Sequence, residues 1–80
     1  MRVKLESLDN KPITERTGKT SVIAETNRLP VERKIQTFMY ENEDCESPGV
    51  SIQTNGIEII SNQIKFFDHS RRPFMITILD

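Results

Sequence analysis

Hydrophobic and polar positions alternate from the first residues of the chain. Val3 and Leu5 fall on one side of an extended segment, and Arg2, Lys4 and Glu6 on the other. A period of two is the pattern of a strand with one face buried and one in water. Asp9-Asn10-Lys11-Pro12 then reads as a turn, because Asn and Asp bond nearby backbone groups and Pro fixes φ. Residues 13–19 are mostly polar, with Gly18 at a bend, and read as a loop. A second strand is expected over residues 20–26, around Val22, Ile23 and Ala24.

The next hydrophobes change period. Val31, Ile35, Phe38 and Met39 recur at the spacing of one helical stripe. Asn27 precedes them as a cap, Pro30 suits the first helical position, and Glu32 favours the positive end of the helix dipole. The spacing predicts one short helix within residues 30–41. Thr37-Phe38-Met39-Tyr40 also suits a strand, and the fold is all-β if residues 30–41 take that form.

After an acidic loop closed by Pro48-Gly49, residues 50–67 are expected to form a three-stranded meander. Asn55-Gly56 reads as a two-residue hairpin turn, since both residues tolerate positive φ. Ser61-Asn62 reads as the second turn. This register sets Ile52 against Ile59, Ile59 against Ile64, and Glu58 against Lys65. It therefore gives an apolar row and an outward row with an opposite-charge pair. A polar connection, residues 68–73, leads to a final strand over residues 74–79. Phe74, Ile76 and Ile78 share one face and Met75, Thr77 and Leu79 the other. Both faces are fairly apolar, so this strand is expected either to be central and covered by the helix or to meet a second copy through its second face, in a homodimer.

Composition agrees with strands. Ten Ile, four Val and seven Thr stand against one Ala and four Leu, the reverse of a helical bundle. The expected class is α+β, predominantly antiparallel β: a small curled sheet or partly open barrel with one short helix. The 80 residues make one small domain, 1–80, with room for one modest core. No stretch approaches the length of a membrane-spanning helix. The lone Cys45, without a signal-like N-terminus, fits a reducing cytoplasm, of a cell or of a virus-infected cell.

Charge is nearly balanced at −1, with the acidic run Glu41–Glu46 set against a basic pair, Arg71-Arg72. Candidate chemistry is thin. Thr17-Gly18-Lys19-Thr20 echoes the end of a phosphate-binding loop, but Ile13 stands where that motif needs its first Gly. Asp68-His69-Ser70 has triad residue types, yet three consecutive residues do not converge as a triad does. Cys45 and His69 together fall short of a zinc ligand set. Neither a catalytic group, a metal nor a cofactor is expected.

Surfaces remain. If Phe66 points inward, Phe67 points outward, just before His69, Arg71 and Arg72. Aromatic and Arg side chains are the usual anchors of interfaces. Glu43 and Asp44 offer an electronegative counterpart in the acidic loop. The sequence thus points to a non-enzymatic protein–protein interaction module, an accessory, adaptor or inhibitor subunit. It would act through an exposed sheet edge or through Phe67, His69, Arg71, Arg72, Glu43 and Asp44. Two further readings stay open: a small nucleic-acid-binding β domain using Arg33, Lys34, Lys65, Arg71 and Arg72, and a structural component of a larger assembly.

Overall fold

The structure, a computed structural model, describes residues 1–41 and 48–80. Six strands follow in order: β1 (Arg2–Ser7), β2 (Ser21–Glu25), β3 (Lys34–Tyr40), β4 (Gly49–Ile60), β5 (Gln63–Phe67) and β6 (Pro73–Ile78). Each pairs antiparallel with the next, and β6 returns to β1, with Val3 opposite Ile78 and Leu5 opposite Ile76. The sheet is therefore a closed barrel. Closure removes most of the unpaired edge that a small sheet would otherwise expose.

Alternation fills the interior. Val3 and Leu5 of β1, Val22 and Ala24 of β2, Ile64 and Phe66 of β5, and Phe74 and Ile76 of β6 are all buried. Three rings form the centre of the core. Phe66 stacks between Phe38, at 6.3 Å between centroids, and Phe74, at 5.9 Å. Ile13 closes over this core from the β1–β2 connection, so that the expected loop is packed rather than free. The connection is pinned by bonds from the Ile13 amide to the Lys19 carbonyl (2.8 Å) and from the Gly18 amide to the Thr14 carbonyl (3.0 Å).

The helix expected within residues 30–41 is absent; β3 occupies that stretch. Its buried positions are Gln36 and Phe38, two apart, while Val31, Ile35 and Met39 of the expected helical stripe are 45%, 59% and 47% exposed. The barrel explains the outcome. Its interior is filled from its own strands, which leaves no apolar sheet face for a helix to cover. As a strand, the segment supplies six register pairs to β4, from Lys34↔Thr54 to Met39↔Gly49. An isolated helix of about 12 residues would be marginal in water. The α+β class is thus corrected to all-β among the described residues.

The meander expected over residues 50–67 is two strands, not three. The chain runs straight through Asn55-Gly56 as the 12-residue β4. Residues 49–54 pair with β3 and residues 55–60 with β5, with an irregularity between Asn55 and Glu58 where β4 carries one extra residue. Gly56 has a φ of 63° there. The Asn-Gly pair does provide positive φ, but a glycine bulge uses it to bend the strand from one neighbour to the next. The second turn falls at Ser61-Asn62 with the expected pairs Glu58↔Lys65, Ile59↔Ile64 and Ile60↔Gln63. Ile52 instead lies opposite Gln36. The final strand runs between β5 and β1, as every strand of a closed barrel lies between two others, and the helix expected to cover its second face is absent among the described residues.

The β2–β3 seam has the shortest ladder, Ala24↔Tyr40 and Glu25↔Met39. Side chains continue it. The Thr26 hydroxyl donates to the Thr37 carbonyl (2.9 Å), Arg28 Nη2 to the Ile35 carbonyl (2.6 Å), and Gln36 Nε2 to the Arg28 carbonyl (2.7 Å). Gln36 Nε2 also donates to Thr26 Oγ1. Gln36 is buried in this role of joining strands that the backbone alone leaves apart.

Candidate functional site

Two turns and the β4 bulge meet on one flank of the barrel. The β5–β6 turn begins at Asp68, whose Oδ1 accepts from the amides of Ser70 and Arg72, each at 2.8 Å. The Arg71 amide donates to the Asp68 carbonyl (3.0 Å), and the Asp68 amide to the Arg72 carbonyl (3.0 Å). That is a three-residue hairpin loop, whose last loop position takes the left-handed conformation. Glycine is the usual occupant. Here it is Arg71, at a φ of 66°.

The second turn enters β3. The Lys34 amide donates to the Val31 carbonyl (3.1 Å), and Arg33, at the third turn position, has a φ of 61°. A turn with positive φ at that position also favours Gly or Asn. Glu32, beside it, reaches across to the bulge: its carboxylate accepts from the amides of Gly56 (2.6 Å) and Ile57 (3.1 Å). These two amide bonds hold the Glu32 carboxyl below its ordinary pKa, Arg33 adding to the effect. They also cover the β4 edge where β3 has not yet begun.

Between these pieces lies an open groove of about 720 Å³, whose walls include Arg33, Gly56, Phe67, Asp68, His69 and Arg71. Phe67 is 41% exposed, and its ring lies against Gly56; a Cβ added to that glycine would sit 3.1 Å from the ring. The groove's two acids, Glu32 and Asp68, have oxygens engaged by backbone amides. The Arg33 and Arg71 guanidinium groups and the His69 imidazole donate to no partner among the described residues. An exposed aromatic side chain therefore lines the same groove as two arginines whose planar donor forks make no hydrogen bond to a described residue.

Phe67, His69 and Arg71, singled out from the sequence, come together here. Arg72 does not. Its Nε bonds Asp9 Oδ2 (3.0 Å), its Nη1 the Ile13 carbonyl (3.2 Å) and its Nη2 the Pro12 carbonyl (2.8 Å). Its guanidinium carbon lies 5.0 Å from the centre of the Phe74 ring. Arg72 is a brace between the β1–β2 and β5–β6 connections. Glu43, Asp44 and Cys45 lie outside the described residues. Lys65 is opposite Glu58 on the outer surface, away from the groove lining, and Lys34 is likewise not part of it.

Sequence reasoning placed Arg33 only in a diffuse basic patch and did not place Glu32 or Gly56 at the site. Turn chemistry was the available signal, because Val31-Glu32-Arg33-Lys34 puts a charged residue where a turn prefers Gly. Among the described residues no group of three or more His, Cys, Asp or Glu side chains is placed to hold a metal ion.

Fold and site together define a small closed antiparallel barrel with a lateral groove that presents an aromatic ring and unengaged donors. No protein-family model, curated protein or solved structure matches the chain.

Proposed function

We propose that this protein is a non-enzymatic interaction module, an accessory, adaptor or inhibitor subunit, that recognises another protein through the groove around Phe67. One observation carries the reading: an exposed Phe ring, packed on Gly56, in a groove also lined by Arg33 and Arg71, whose guanidiniums donate to no described residue. Interface anchors are typically aromatic or Arg side chains set in a concave surface. A groove of about 720 Å³ is of the size that accepts a short peptide segment or a comparable ligand. Barrel closure leaves little strand edge, which favours the groove over strand addition as the mode of recognition.

The nucleic-acid reading has less support. The whole chain is at −1, and Glu32 and Asp68 share the groove with the arginines. A nucleic-acid surface shows a positive footprint and several stacking aromatics. The test is selection of displayed random peptides on the immobilised protein, with counter-selection on Phe67→Ala. Enriched peptides that bind the wild type and lose at least about tenfold on Phe67→Ala are expected, a loss usual for an interface anchor. No enrichment, or binding indifferent to Phe67, overturns the reading.

A further inference from the structure

We infer that the groove is built for an acidic peptide segment, its carboxylates held by Arg33 and Arg71 and a neighbouring apolar side chain laid on Phe67. The inference rests on the interaction reading and names the chemistry of the partner. Backbone conformation supplies the argument. Among the described residues four non-glycine positions have positive φ: Asn10, Arg33, Ser61 and Arg71. Asn10 is of the residue type that tolerates this region, and Ser61 stands in the two-residue β4–β5 hairpin, whose turn types call for it. The other two are arginines, from turns 38 positions apart in sequence, and both line the same groove.

A long side chain in the left-handed region is disfavoured, and Gly fits either turn with less strain. Neither guanidinium donates a hydrogen bond to a described residue; inside the fold Arg33 acts through its charge on the neighbouring Glu32 carboxylate. Strained residues that cluster at one concave site point to a role for that site. Contrast Arg72, in an adjacent position of the same turn, which donates to Asp9 and to the carbonyls of Lys11, Pro12 and Ile13.

The donors define the ligand. Two guanidinium forks match carboxylates, and carboxylate–guanidinium bonds are about twice as strong as neutral ones. Of the site's own carboxylates, both oxygens of Glu32 accept from the amides of Gly56 and Ile57, and Asp68 Oδ1 accepts from those of Ser70 and Arg72, which lowers their competition for the arginines. They also set a charge limit: with Glu32 and Asp68 present, the groove suits a short stretch of carboxylates better than a continuous phosphate backbone. Phe67 supplies the apolar contact that makes the arrangement specific for a peptide rather than for a free anion.

The experiment measures fluorescence anisotropy with two labelled probes. One is a five-residue peptide of glutamates around a central phenylalanine; the other replaces each glutamate with glutamine. Wild-type protein should prefer the glutamate probe by at least about tenfold. Arg33→Gly and Arg71→Gly should each lose about tenfold while their melting temperatures hold or rise, which separates lost contacts from lost fold. Phe67→Ala should weaken both probes.

Equal, Phe67-dependent binding of the two probes overturns the acidic-partner inference and leaves the interaction reading standing. Glycine variants that bind the glutamate probe as well as wild type also overturn it. A labelled oligothymidylate serves as a third probe in the same assay, and its tighter, Arg-dependent binding overturns both in favour of nucleic acid. Absence of any binding by the glutamate probe overturns the inference, while the Phe67 counter-selection reports separately on the interaction reading.

Discussion

Arg72 and Asp9 tie two connections of the barrel together through a two-point contact, Nε to Oδ2 at 3.0 Å and Nη2 to Oδ1 at 3.3 Å. The guanidinium holds the Asp9 carboxyl well below its ordinary range, from 3.8 to about 2, with the Lys11 amide assisting. The native state thus binds the Asp9 proton less readily than the unfolded chain does. Its contribution to stability is fully present above pH 3.8 and is lost as pH falls through about 2. Chemical-denaturant midpoints measured from pH 5 to pH 2 should fall less steeply for Asp9→Asn than for wild type. Arg72→Ala should flatten the same interval and lower the neutral-pH midpoint further, because it also strips donors from the Lys11, Pro12 and Ile13 carbonyls. An Asp9→Asn profile parallel to wild type would count against this linkage.

The neighbouring arginine should behave in the opposite way. Arg71→Gly and Arg33→Gly relieve a left-handed backbone at φ 66° and 61° and remove no internal hydrogen bond of the side chain. Each should leave the protein as stable as wild type or more stable by about 0.5–1 kcal/mol. Thermal unfolding checks this. A loss above about 1 kcal/mol would show that the side chains carry structural weight instead.

Gly56 is the pivot of β4. Gly56→Ala would place a methyl 3.1 Å from the Phe67 ring on a backbone at φ 63°. Strain at such a position is about 1–3 kcal/mol. The variant should lose stability within that range and displace the Phe67 ring, visible as shifted aromatic proton resonances for Phe67 with little change for Phe74.

Phe66 is the middle ring of the stack, in contact with Phe38 on one side and Phe74 on the other. Phe66→Ala should cost about 3–5 kcal/mol, which a small domain with a stability of about 5–15 kcal/mol barely survives. Phe67→Ala, one position along, removes a ring that is 41% exposed and should cost far less. Circular dichroism melts of the two variants give the comparison directly.

What could be read from the chain followed local alternation. Val3 and Leu5, Ile64 and Phe66, and Phe74 and Ile76 all face inward as the period of two requires. Ser61-Asn62 turns where the pairing of Glu58 with Lys65 demands. Two readings failed because a local signal served a non-local end. Val31, Ile35 and Met39 suit a helix by spacing, but β3 is needed to complete the cylinder, and a buried Gln36 at the thin β2–β3 seam has no signature in hydropathy. Asn55-Gly56 announces positive φ without saying whether it reverses a strand or bends it. At the groove, Phe67 was legible from strand parity and Arg71 from the basic pair in the connection that follows. Separating Arg71 from Arg72 required the turn, in which one guanidinium is turned back onto Asp9 and the other is left outside.

The return of β6 to β1 has a kinetic consequence. Val3 meets Ile78 and Leu5 meets Ile76, so the ladder that completes the cylinder joins the most distant parts of the described chain. Such pairings pay their loop-closure entropy before any contact rewards them. The β4–β5 hairpin, joined by two residues, can form early; closure by β1 and β6 must come late. The barrel is therefore expected to fold in about milliseconds to seconds, the range of high-contact-order β proteins, despite its small size. Until that last ladder zips, the outer edges of β1 and β6 stay open, and the interval before closure is when this chain is most exposed to pairing with the wrong strand.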